Sequence, residues 1–149
     1  MATYYSDKIV ASSNKELTQV PARSHIYPTW VVGTASVDTS LDAADIVKGV
    51  KVPAGALILD IILKSTDIDT DGTPAVTLHV GDSDDADRFF VSSDVGQAGG
   101  VARLTADGAV AGNLYEYSAE TEINITVAVA AATAAAGTVQ LAVLYVVGN

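Results

Sequence analysis

From Ile123 to Asn149 the chain carries no formally charged side chain, an uncharged run of 27 residues. A run that long can cross a bilayer as a helix, or it can be two strands of a sheet. Its internal pattern separates the two. Ile123, Ile125, Val127 and Val129 alternate with Asn124, Thr126 and Ala128. Val139, Leu141, Val143, Tyr145 and Val147 repeat the same spacing. Period two with β-branched residues is a strand signal. Thr133, Gly137, Thr138 and Gln140 interrupt the run, and no Lys or Arg flanks it to set an orientation. Two strands joined by an Ala/Thr/Gly loop are therefore expected, and no membrane span.

Composition carries the same message further. Hydrophobic residues make up 49% of 149 residues and the mean hydropathy is +0.32, which excludes intrinsic disorder. The apolar content is mostly small, with 24 Ala and 20 Val against 9 aromatic residues, so thin, closely packed sheets are expected. Eighteen acidic residues against eight basic ones leave a net charge of −10, which argues against direct nucleic-acid contact, since phosphates call for Lys/Arg patches. With no cysteine there is no disulfide scaffold, zinc ribbon or thiol nucleophile. The N-terminus lacks a basic segment followed by an apolar run, so no signal peptide is expected.

Residues 1–25 have few large aliphatics and no sustained period. They read as an extended arm that orders on a partner, or alternatively as a first edge strand with Tyr4, Tyr5, Ile9 and Val10 against the core. Residues 26–149 form the domain. Its expected strands are Tyr27–Val37, with Trp30 in the core, then Val50–Gly55, Ala56–Lys64, Val76–Val80, Arg88–Val91, Leu114–Tyr117 and the two C-terminal strands. In the third of these, Leu57, Leu59, Ile61 and Leu63 fall on one face and Asp60 and Lys64 on the other. Residues 41–46 could make one helical turn, and 128–136 is the one helix competitor. About eight strands with turn signals every 8–15 residues predict an all-β antiparallel sandwich, jelly-roll-like, behind an extended N-terminal arm.

Little in the chain points to catalysis. His25 and His79 are far apart and lack a metal-holding spacing, and His79 reads as a packed or surface strand residue. No nucleophile elbow, phosphate loop or dinucleotide fingerprint is present. Asp67-Ile-Asp-Thr-Asp-Gly72 matches the opening of a calcium loop, but its twelfth position is Leu78 where a bidentate Glu is needed. A solvated turn competes with a calcium site at Asp67, Asp69 and Asp71. Asp82-Ser-Asp-Asp-Ala-Asp87 beside Arg88 reads as carboxylates relieved by solvent and that arginine. No cofactor, metal or catalytic residue is assigned. Because the acidic residues concentrate between Asp60 and Asp94, the sandwich is expected to carry one negatively charged rim.

The order of several segments from about residue 46 onward resembles small head-decoration, or cement, structural proteins of tailed bacteriophages. These are Val52-Pro-Ala-Gly-Ala-Leu-Ile-Leu-Asp60, Thr73-Pro-Ala-Val-Thr-Leu-His-Val-Gly-Asp82, Asp85-Ala-Asp-Arg-Phe89 and Gly96-Gln-Ala-Gly-Gly100. Glu122-Ile-Asn-Ile-Thr-Val127, Ala134-Ala-Ala-Gly-Thr-Val139 and Leu144-Tyr145 follow. The resemblance covers about two-thirds of the chain. It implies a non-enzymatic β-sandwich on the capsid exterior of the virion, bound to the major capsid protein as a homo-oligomer, with a trimer matching local threefold sites. The first 45 residues carry none of the resemblance, and the arm's contact residues toward the capsid are taken as Tyr4, Tyr5, Ile9 and Val10. A tail- or fibre-associated β-module and a carbohydrate-binding module, the latter using Trp30 and the tyrosines, are the alternatives.

Overall fold

The two halves of the uncharged C-terminal run enter different sheets, and each becomes an interior strand of its sheet. The computed structural model of the protein describes residues 3–5, 27–104 and 112–147. Its strands are β1 (Thr3–Tyr5), β2 (Thr29–Val37), β3 (Ile46–Val52), β4 (Ala56–Ser65), β5 (Thr77–Gly81), β6 (Phe90–Ser93), β7 (Gly100–Arg103), β8 (Thr121–Val129) and β9 (Gly137–Val147). One sheet has the order β1-β3-β8-β5-β6 and the other β2-β9-β4-β7. Apart from the three-residue β1, which pairs parallel to β3, all pairings are antiparallel. Strands β2 to β9 thus form two four-stranded sheets in which consecutive strands change sheet at every step except the β5–β6 pair. This is the jelly-roll path.

The core lies between the sheets and is built by alternation. Ile123, Ile125 and Val127 of β8 face Val139, Leu141 and Val143 of β9, all essentially without solvent contact. Phe89 and Phe90 are the largest fully buried side chains. At one end the Pro53–Gly55 turn closes with the Ala56 N–H donating to the Pro53 carbonyl at 3.2 Å. Gly55 takes φ +78°, which a side chain would resist.

Three local expectations change. Residues 41–46 are not a helical turn: Ser40 donates backbone and hydroxyl bonds to Asp38 Oδ1, Asp45 accepts from the Asp42 N–H, and β3 begins at once at Ile46. In β4 the register to β9 skips Leu59, so Asp60 stands opposite Leu144. This bulge shifts the alternation by one residue: Ile58, Ile61 and Leu63 point inward, whereas Leu57, Leu59 and Asp60 lie on the outer face. β7 follows directly from the Gly-rich connection, which on sequence looked like a loop alone. The alanines at 130–136 form the expected loop and not the competing helix, because β8 and β9 take up the residues on either side.

Candidate interaction surfaces

The jelly-roll path sends the connections 38–45, 66–76, 94–99 and 130–136 to one end of the sandwich and 53–55, 82–89 and 112–120 to the other. The first end carries seven aspartates among its described residues (Asp38, Asp42, Asp45, Asp67, Asp69, Asp71 and Asp94) and no lysine or arginine. The single acidic rim expected from sequence is in fact two. Asp82 to Asp87 lie at the opposite end, because β5 runs away from the loop that carries Asp67 to Asp71.

Two of these carboxylates are structural. Asp69 is buried and accepts backbone N–H bonds from Ala75 (2.7 Å), Val76 (3.0 Å), Ala132 (3.0 Å) and Thr133 (2.9 Å). It clamps the 66–76 loop to the 130–136 loop. Burial works to raise its pKa, but the four N–H donors outweigh this and hold it well below the usual carboxylate range. Both oxygens of Asp69 are spent on these donors. The loop is therefore an anchored turn, not an array of carboxylates converging on a calcium ion. Among the described residues no group of three or more His, Asp or Glu is placed to hold a metal.

Asp82 plays the same part at the other end. It accepts from Arg88 Nε at 2.7 Å, from the Tyr117 hydroxyl at 2.7 Å and from the Asp84 and Asp85 N–H groups. Burial is again opposed by these donors, and the carboxyl is held below its ordinary pKa, while burial and the Asp82 charge push the Tyr117 phenol up. The Arg88 guanidinium lies 4.0 Å over the Tyr115 ring, and Tyr115 meets Tyr117 edge-on at 5.0 Å. Arg88 does relieve the acidic run, as expected from sequence, but chiefly through one buried partner. Tyr117 was the part that sequence reading missed; its position 35 residues downstream gave no local signal.

The outer faces of the two sheets differ in chemistry. On the five-stranded sheet, Lys48 pairs with Glu122 at 2.8 Å and Lys51 with Glu120 at 3.8 Å. His79 joins Thr126 on this face, and its Nδ1 accepts the Ser92 N–H at 3.0 Å. It is a half-buried strand residue, as read from sequence. On the four-stranded sheet the outer face presents Trp30, Val32, Leu59, Ile62 and Leu144, with the Asp60–Arg103 pair set among them. Trp30 is 45% exposed and so is not the core residue expected from its strand position; Val31 and Ala35 take the inward positions beside it. Arg103 donates through Nε to Asp60 Oδ2 at 2.6 Å, and neither residue carried a sequence signal beyond the lone acid of β4. Tyr4 and Tyr5 lie in β1 at the edge of the five-stranded sheet, whereas Ile9 and Val10 fall outside the described residues. No helix among the described residues is long and apolar enough to cross a membrane.

These features define a jelly-roll module whose distinctive surfaces are an apolar sheet face and two acidic ends. No protein-family model and no curated protein matches the chain. Two solved structures do. A chain of the cyanophage Pam1 capsid asymmetric unit is 33% identical, with 91% of this chain and 96% of that one covered and a TM-score of 0.72. A chain of the capsid of Ralstonia phage GP4 is 28% identical, with 99% of both chains covered and a TM-score of 0.80. The protein belongs to the phage head structural proteins that these capsid chains represent.

Proposed function

We propose that the protein is a decoration, or cement, protein: a non-enzymatic homo-oligomer that binds the outside of the assembled phage capsid and stabilises it. The observation that carries this reading is the likeness to chains from two phage capsids along nearly the full length of each. The surfaces support it. A chain held by loop clamps at both ends offers rigid contact faces, and a net charge of −10 keeps many copies soluble and away from packaged nucleic acid. Contact is made with the major capsid protein at local threefold positions, for which a trimer is the matching oligomer. The arm of residues 1–25 reaches along the shell, with Tyr4, Tyr5, Ile9 and Val10 as its contacts.

Because such a protein binds the assembled shell in preference to free subunits, mass action stabilises the particle. Particles lacking it should lose integrity at lower temperature, and adding purified protein back should restore the difference. Identical melting with and without the protein would sink the proposal. Cryo-electron microscopy of the same particles gives copy number and position, and density on the tail instead of the head would select the tail-module alternative.

A further inference from the structure

Toward the Pro53–Gly55 end the outer face of the four-stranded sheet carries apolar side chains where a solvent-facing sheet carries polar ones, while Thr34, Lys64, Thr138 and Gln140 make its other half polar. Its most exposed apolar members sit at the two edges. Trp30 on β2 is 45% exposed, and on β7 Val101 is 64% exposed and the Arg103 side chain 57%. Between them Leu144, Ala142 and Ile62 form a shallow apolar middle. The carboxylate at the centre of this face, Asp60, is buried and neutralised by Arg103, and the exposed Glu116 lies at its margin opposite Leu57.

We propose that this face is where copies of the chain meet, around a rotation axis that runs along the strands. Three observations favour another copy as the occupant. Each copy carries a net charge of −10, and two such chains approach at lowest electrostatic cost through a surface whose central carboxylate is already paired with an arginine. Four strands spaced ~4.8 Å apart and about eight residues long give a face of ~500 Å². Three copies turned about one such axis then cover ~1,500 Å² in all, of the order that specific assemblies bury.

The third observation is geometric. Val32, Ala142, Ile62 and Arg103 lie at one level across the sheet, and Trp30, Leu144 and Asp60 lie two residues further along. A rotation axis parallel to the strands keeps every residue at its own height. It therefore brings the β2 edge of one copy to the β7 edge of the next, with Trp30 about 7 Å along the strand from Arg103, within reach of both long side chains. Asp60 holds the guanidinium by its edge and leaves its flat face to receive the indole. Trp and Arg are the residues that dominate such contacts.

The inference rests on the homo-oligomer part of the proposed function but is tested without a capsid. Sedimentation of the purified full-length chain at micromolar concentration should give an oligomer. Trp30→Ala should weaken association roughly tenfold or more. Arg103→Lys, which keeps a cation beside Asp60 but loses the flat face, should weaken it too, and the two changes should not add. Thr126→Lys on the outer face of the other sheet should leave association unchanged. Circular dichroism melting of each variant separates loss of contact from loss of fold. A monomeric wild-type chain, or an oligomer indifferent to Trp30→Ala and Arg103→Lys, overturns the proposal. So does a Trp30→Ala variant that stays oligomeric yet fails to bind particles, which would assign the face to the shell instead. Particle melting by the wild-type protein tests the cement reading separately.

Discussion

At the scale of single residues, the molecule depends on two aspartates that serve as anchors. Asp69 receives four backbone N–H groups that no neutral side chain can satisfy together. An asparagine there would turn its own amide donors against at least one of them. Asp69→Asn should lower the melting temperature by several degrees, whereas Asp71→Asn in the same loop, an exposed position, should change it little. Tyr117→Phe removes a hydrogen bond to a buried carboxylate and should cost about 1.5–3 kcal/mol in urea unfolding. Both anchors ionise more readily folded than unfolded. The stability they contribute is present above the ordinary aspartate pKa of about 4 and is lost as pH falls through their lower folded values. The melting temperature should begin to fall only below that pH, and Asp69→Asn should make the fall shallower. A profile that already declines between neutral pH and 5 would place the titrating group elsewhere.

At the scale of elements, period-two alternation made β8, β9 and the jelly-roll class legible, because buried β-branched residues at every second position mean little else. What stayed hidden shares one cause: it depends on contacts between distant segments. The bulge at Leu59 put Leu57 and Leu59 on the opposite face from Ile61 and Leu63, and nothing in Ala56-Leu-Ile-Leu-Asp-Ile-Ile-Leu63 says where a register slips. Trp30 looked like core because large aromatics are usually buried; its partner across β9 is the outward-facing Leu144. The calcium-like spacing at Asp67 to Asp71 was real, but two of the four donors that claim Asp69 come from residues 132 and 133, a neighbour that local reading cannot see. Gly81 is a further case. A side chain there would overlap the carbonyl groups of Asp85 and Ala86, since the 82–88 loop folds back over the end of β5. Gly81→Ala should cost about 1–3 kcal/mol by chemical denaturation.

At the scale of the whole molecule, charge works against the fold. Seven aspartates share one end without a cation among its described loops, and the net charge of −10 acts over the entire surface. Salt screens that repulsion, with a Debye length near 3 Å at ~1 M. The melting temperature should therefore rise as sodium chloride is raised from low concentration to about 0.5 M, read by scanning fluorimetry. A fall would mean that the ion pairs on the outer sheet faces outweigh the acidic ends.

The position of β8 and β9 has a consequence for how the chain comes to be folded. Each is an inner strand of its sheet, β8 between β3 and β5 and β9 between β2 and β4, yet the ribosome makes both only after β1 to β7. Until they emerge, β2 lacks the neighbour that pairs Thr29 with Tyr145 and Val37 with Gly137, and neither half of the sandwich can close over its apolar side. Folding must wait until β8 and β9 have emerged and then find contacts between segments far apart in sequence, the slow regime of high contact order. The newborn chain thus has a vulnerable interval, in which its Val-rich strands are exposed and a chaperone or a waiting copy can meet them first.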